Sequence, residues 1–326
     1  MQRRLISILL AAVLCLLLLA GCAPAAQTQK ATSKIRIVAT LFPQYDFARQ
    51  IAGDKADIKL LLPAGIESHS YEPTPADIIA INMADLFVYT GPYMEPWAQS
   101  IIDGVTENVT VLNISQNITL DKEEEHDEAH AHDEALEHDE ADAHKEELAH
   151  GGFDPHIWTS PVNAKVMVDN LTDALCKVDS ANADYYRNNA AKYKTELDAL
   201  DQEFSTIVST AKRKEIIFGG RFALHYFAKQ YGLTYEAAFD SCSHETEPSA
   251  QVVAEIIDEV RTKGIPVVFH EELTDPKVAR LIGEETGAKL RLLHSCHNVS
   301  KEDFQNGATY LSLMKQNALY LKEGLN

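Results

Sequence analysis

From Ile35 onward the chain alternates between short β-branched or apolar runs and longer stretches with apolar positions three and four residues apart. IRIVAT (35–40) reads as a strand, YDFARQIAG (45–53) as a helix stopped by glycine, and DIKLLLP (57–63) as a second strand. TPADIIAINMADL (74–86) opens with Thr-Pro and an acid, as helix starts do; LFVYT is a strand, MEPWAQSIIDG a helix and VTVLNIS a strand. After an interruption, SPVNAKVMVDNLTDALCKV (160–178) and ANADYYRNNAAKYKTELDALDQEFSTIVSTAK (181–212) have strong helical periodicity. The alternation then resumes with EIIFGG, a helix, TYEAAF, a helix over 247–264, PVVFH, a helix over 275–287, KLRLLH, and a closing helix from about Gly307. Repeated strand–helix units predict an α/β fold of two lobes, each a mainly parallel sheet flanked by helices, with helix between them. The boundaries read as 35–160 for the first lobe, 161–182 for a linking helix and 183–326 for the second lobe. In open parallel sheets, ligands bind in the crevice beyond the carboxyl ends of the strands.

The interruption is the stretch EEEHDEAHAHDEALEHDEADAHKEELAH (123–150). Residues 121–150 carry 14 acids, two lysines and six histidines: His126, His130, His132, His138, His144 and His150. With no aromatic residue and this charge, the stretch cannot bury enough surface to fold alone. It also accounts for most of the formal net charge of −20, so the acidity is local. Such a balance argues against nucleic acid as a partner.

Ahead of Ile35, MQRRLISILLAAVLCLLLLAGC has a basic start, an apolar run and a small-residue exit, the pattern of a secretory signal over 1–21. Its Leu-Ala-Gly-Cys ending is similar to a bacterial lipobox, with Cys22 as the lipidation site and 22–34 as a flexible tether.

Three histidines fall at strand ends. His69 follows DIKLLLP in AGIESHSYEP, His156 lies in FDPHIW directly after the acidic stretch, and His294 closes KLRLLH. Imidazoles converging from separate segments suit a zinc site. GIESHSYEPTPADI, DPHIWTSPVNAKVMVDNL and TEPSAQVVAEIID together resemble, in order and over nearly the whole chain past the signal, the zinc/manganese substrate-binding lipoproteins of bacterial ABC importers, zinc-uptake type with a His-rich loop.

The resemblance implies two lobes joined by a long rigid helix, one metal held between them, and no chemistry on it. It makes His69, His156 and His294 metal ligands, the last where the family usually has a carboxylate. The family's third histidine corresponds to Arg221 in GGRFALHYFAKQYGL, and a guanidinium cannot coordinate. His225, one turn along in a helix, Glu247 in SHETEPS, or water are the candidates for the missing bond. Cys242 and Cys296 lie in two loops that face the cleft in this fold; outside the cytoplasm a disulfide is favoured over two zinc thiolates. His244 and His297 flank those cysteines as outer or surface groups, and Cys176 reads as a small core hydrophobe on a helix face.

The implied cargo is Zn²⁺ rather than Mn²⁺, because Mn²⁺ sites lean on carboxylates and water. The implied partners are a permease and its ATPase, the membrane through a lipid anchor, and no second copy. The His-rich stretch then becomes a loose, accessory metal collector. A secreted zinc hydrolase is the rival from another class, with Glu67, Glu247 and Glu271 as its conceivable bases, but no HExxH or GxSxG is present. A surface adhesin or metal buffer without a transporter is the other.

Overall fold

The computed structural model describes residues 34–68, 71–122, 152–239 and 248–326. The signal and tether, Cys22, His69, the six histidines of the acidic stretch, Cys242, His244 and Glu247 lie outside the described residues.

Two four-stranded sheets organise the chain. The first comprises β1 (Ile35–Ala39), β2 (Ala56–Leu60), β3 (Leu86–Tyr89) and β4 (Thr110–Asn113) in the order β2-β1-β3-β4, every neighbour parallel. The second comprises β5 (Glu215–Arg221), β6 (Thr234–Phe239), β7 (Val267–His270) and β8 (Lys289–Leu292) in the order β6-β5-β7-β8, again all parallel. All of β3 is buried, as a central parallel strand covered on both faces requires. The edge strands β2 and β4 instead mix buried and exposed positions.

The first sheet is joined by α1 (Phe42–Ala52), α2 (Pro75–Asn82) and α3 (Ala98–Ile102). The Thr-Pro start of α2 is a capping box, with Thr74 Oγ1 accepting from Asp77 N and the Asp77 carboxylate accepting from Thr74 N. Then come α4 (Pro161–Val178) and α5 (Ala183–Ser209), followed by α6 (His225–Tyr231), α7 (Ala250–Lys263), α8 (Lys277–Thr286), α9 (Lys301–Gln305) and α10 (Tyr310–Gly324). In β5, a Cβ on Gly219 would fall 2.4 Å from the Ala279 Cα, so the absence of a side chain lets α8 lie directly on the strand.

The helix expected over 161–182 ends at Val178 and packs against the first sheet. The element spanning both halves is α5, whose 27 residues extend about 40 Å. It packs against α1 on one side and α10 on the other. Its buried stripe Tyr186, Ala190, Tyr193, Leu197, Leu200, Phe204, Ile207 and Val208 follows the three-and-four spacing read from the sequence. One core therefore runs from Phe47 and Leu86 in the first half through α5 to Phe227 and Phe269 in the second, while smaller clusters cover the outer face of each sheet. The halves are also pinned by polar groups. Buried Asp46 in α1 accepts the Tyr310 N–H at the start of α10 (2.8 Å), and Arg49 Nη2 donates to the Ala308 carbonyl (3.2 Å). A carboxylate at a helix N-terminus is favoured by the unpaired N–H groups there.

A second buried carboxylate ties together the carboxyl ends of β1 and β3. Glu95 accepts from Thr40 Oγ1 (2.5 Å), Thr90 N (3.0 Å) and Gly91 N (3.1 Å). Burial pushes this carboxyl up to about 7, although the donors from Thr40, Thr90 and Gly91 pull the other way. A carboxyl with a raised folded-state value stabilises the fold fully below its unfolded value of 4.5 and loses that contribution as pH rises through 7. The unfolding free energy of the wild type minus that of Glu95→Gln should therefore fall by on the order of 3 kcal/mol between pH 4.5 and 8 in denaturant titrations. A difference that stays flat across that range would contradict the assignment.

Candidate metal centre

The carboxyl ends of β2, β5, β7 and β8 face a small cleft of ≈ 60 Å³ that opens to solvent. Glu67, Ser68, Arg221, Glu271, Glu272 and His297 are among the residues lining it. Ser68 is the residue before His69.

His156 is placed by a turn in which its own aspartate does the holding. Asp154 Oδ1 accepts both the His156 backbone N–H (2.8 Å) and its ring Nδ1 (2.7 Å). Pro155 stiffens this turn, a single 3₁₀ turn follows over Ile157–Thr159, and Ser160 then caps α4 by accepting from Asn163 N. Burial would raise the Asp154 carboxyl, but the charge and donors of His156, with His225 beyond, hold it below the usual carboxylate range. A carboxylate only accepts, so in the neutral ring Nδ1 carries the proton and Nε2 the lone pair, the tautomer of a metal-ligating histidine with an outer carboxylate. The residues flanking the acidic stretch meet at this turn, where Lys122 and Phe153 form an antiparallel bridge and Asp154 N donates to Asp121 O (2.9 Å).

The imidazole that meets His156 belongs to His297. Their ring centroids are 4.4 Å apart at 79°, and Trp158 lies edge-on to both, at 5.6 Å from His156 and 4.9 Å from His297. The loop carrying His297 is stitched to the first half. Trp158 Nε1 donates to Ser295 O (2.8 Å), Phe42 N to His297 O (3.2 Å) and Gly65 N to Val299 O (2.8 Å). Asn298 Nδ2 reaches Pro63 O (2.8 Å) and Ile66 O (2.9 Å).

His294, the ligand expected from the sequence, has a different occupation. Its Nδ1 accepts the Cys296 N–H (2.9 Å), and its backbone is held at both ends by Asn317. With Nδ1 accepting, the neutral ring carries its proton on Nε2 and offers no lone pair there. His294 supports a turn in which Cys296 adopts φ 63°, a left-handed conformation unusual for a residue with a Cβ. Sequence reasoning placed His297 among outer or surface groups. HSCHN holds two histidines three apart in a loop, and only the reversal at Cys296 decides which one faces His156.

Arg221 ends β5 beyond a bulge rather than opening a helix, and it lines the same cavity as His297. His225 opens α6 with Nε2 3.4 Å from Asp121 Oδ2, and borders a separate cavity with Asp121 and Lys229, so the structure does not bring it to His297. Cys296 is a free thiol, fully buried in the main core, and burial pushes it far above its ordinary value. The expected disulfide to Cys242 is therefore not formed, and a protonated core thiol is no zinc thiolate. Cys176 is half-buried against that core, as expected, with Sγ directed to Ala183 O (3.6 Å). Among the described residues, no three His, Cys, Asp or Glu side chains are gathered closely enough to hold a metal.

A family model described as ZnuA, zinc-uptake complex component A, periplasmic, matches residues 37–324. The high-affinity zinc uptake system protein ZnuA of Bacillus subtilis is 38% identical over 317 residues, covering 95% of each chain. The zinc-binding lipoprotein AdcA of Streptococcus pneumoniae serotype 4 is 34% identical over 98% of this chain, which spans 60% of AdcA's own length. Among solved structures, the metal-dependent lipoprotein YcdH of Bacillus subtilis superposes with a TM-score of 0.73 at 34% identity, over 90% of this chain and 99% of that one. The Zn(II)-bound ZnuA-like domain of Streptococcus pneumoniae AdcA gives 0.72 at 31% identity, with the same coverage of each chain.

Asp154→Asn keeps the side chain's shape and one accepting oxygen but removes the negative charge that holds and polarises the His156 ring. It should weaken divalent-metal binding by about 10–100-fold in a chelator competition, with the fold intact by circular dichroism. Unchanged affinity would contradict the role of Asp154 in holding His156 for a metal.

Proposed function

Since the chain belongs to the ZnuA family of zinc-uptake components, we propose that it is the extracytoplasmic receptor of a zinc ABC importer, taking Zn²⁺ between its two halves and passing it to the permease. The observation that carries this reading is the pair of imidazoles, His156 and His297, that face each other at 4.4 Å against the wall formed by Trp158. His69, one residue beyond cavity-lining Ser68, completes a nitrogen set from three separate segments. Neutral nitrogen donors favour Zn²⁺ over Mn²⁺, whose sites draw on carboxylates and water.

Arg221 occupies the place of the family's third histidine and coordinates nothing. The cavity places it among Glu67, Glu271 and Glu272, which balance its charge beside a cation. The site then carries three histidines, with water or a carboxylate such as Glu247 in the remaining position. Handing on a bound ion needs no general base or nucleophile, so the chain acts as a receptor rather than an enzyme. Lipidation at Cys22 anchors it to the membrane as a monomer, and the permease and its ATPase are its partners. The acidic His-rich stretch, rooted beside Asp154, gathers zinc loosely next to the site.

Zinc titration of the whole chain against a competing chelator tests this. One tight equivalent should appear above several weak ones, and His156→Ala or His297→Ala should weaken it by more than ~100-fold while the weak ones persist. Survival of the tight equivalent in both variants would move the receptor site into the His-rich stretch and overturn the reading.

A further inference from the structure

We propose that Glu272 and Ser295 are positioning residues that lock His297 into the tautomer able to bind metal through Nε2, and so select it over His294 in the same loop. The inference rests on the reading of His297 as a zinc ligand. Nothing in the zinc-receptor role requires this pair, and neither residue stood out in the sequence.

The assignment follows from counting protons. Glu272, just past the carboxyl end of β7, uses both carboxylate oxygens on one residue: Oε2 accepts Ser295 N (2.9 Å) and Oε1 accepts Ser295 Oγ–H (2.6 Å). A serine hydroxyl has a single proton, and that proton is spent on the carboxylate. Toward His297, Ser295 Oγ therefore has only lone pairs. It accepts the His297 backbone N–H at 3.3 Å and stands 2.7 Å from His297 Nδ1. Nδ1 must then be the protonated nitrogen, and the lone pair falls to Nε2.

Three residues upstream, the same loop produces the opposite result. His294 Nδ1 receives the N–H of Cys296 at 2.9 Å, which leaves the ring proton on Nε2. Glu272 Oε2 also lies 3.5 Å from His294 Nδ1, which already accepts the Cys296 N–H, so this carboxylate, 8% exposed, spends its hydrogen bonds on the serine that serves His297. With Asp154 fixing His156 in the same sense, the two rings that meet at 4.4 Å are both Nδ1–H tautomers. Geometry and proton placement thus agree on which histidine of HSCHN takes the metal.

The relay also crosses the molecule. Glu272 follows β7 in the second half, whereas Ser295 O is held by Trp158 beside His156 in the first. A change at Glu272 is therefore felt at His297 through one hydroxyl, with no contact between Glu272 and the metal.

Ring-nitrogen NMR of the ¹⁵N-labelled whole chain without zinc tests the proposal, the His297 signals being assigned by their loss in His297→Ala. The wild type should show His297 as the Nδ1–H form. Ser295→Ala should remove the Nδ1–H preference and lower zinc affinity by about 10–100-fold, whereas Ser295→Thr, which keeps the hydroxyl, should stay within about threefold of the wild type. Glu272→Gln keeps the shape but supplies one acceptor where two are needed. When its oxygen takes the Ser295 N–H, its amide faces Oγ and turns the hydroxyl proton toward His297 Nδ1, giving the Nε2–H form. Finding the wild-type ring as Nε2–H overturns the proposal whatever Ser295→Ala and Glu272→Gln do. So does a tautomer and affinity unmoved by Ser295→Ala and Glu272→Gln when His297→Ala abolishes tight binding. If His297→Ala leaves tight binding intact, it is the zinc-site reading itself that fails.

Discussion

The structure depends on the clasp between loop 293–299 and the first half of the molecule. The loop leaves the second sheet at β8, yet its carbonyls at Ser295, His297 and Val299 accept from Trp158, Phe42 and Gly65, and the Asn298 amide reaches back to two carbonyls of the β2 exit. Each such bond contributes only about 1 kcal/mol net, but leaving any of these buried groups unmet costs more than that. Their combined effect is geometric. They hold a segment of one half against the turn of the other that carries His156, so the cleft is built around a fixed wall. The core running through α5 and the Asp46–Tyr310 pin serve the same end on the far side.

Held from both ends, the loop must reverse within a few residues, and it does so at Cys296 with a left-handed backbone. That conformation costs on the order of 1 kcal/mol for a residue with a side chain. It is held in place by the N–H of Cys296 on His294, the burial of the thiol in the core, and the bonds to either side. His294 is consumed in making the turn, and His297 is what the turn presents. Cys296 is spoken for by packing, which removes both the disulfide and the thiolate that its place in a cleft-facing loop suggested.

Much of this was legible in the sequence, and the reasons are physical. The apolar run of β3 and the three-and-four stripe of α5 are direct consequences of burial, and the Thr-Pro and Ser-Pro helix starts of α2 and α4 carry their own caps. The turn that carries His156 was readable because proline and aspartate fix it locally. The element bridging the halves was harder to read. A break at 179–182 separates two equally periodic helices, and which one crosses the molecule is settled by packing against α1 and α10. His297 was not readable, since nothing local distinguishes it from His294; the distinction lies in a backbone reversal and in a glutamate 25 positions earlier in the chain. His225 looked plausible on helical spacing alone, but Arg221 ends β5 and α6 begins only at His225, so the two share no helix face.

The most direct measurement is anomalous diffraction at the zinc edge from crystals of the whole chain loaded with one equivalent of Zn²⁺. The account predicts a single strong peak about 2.0–2.1 Å from Nε2 of both His156 and His297, with His294 outside the coordination shell. A peak bound by His294 in place of His297, or one lying wholly among the histidines of residues 123–151, would contradict it.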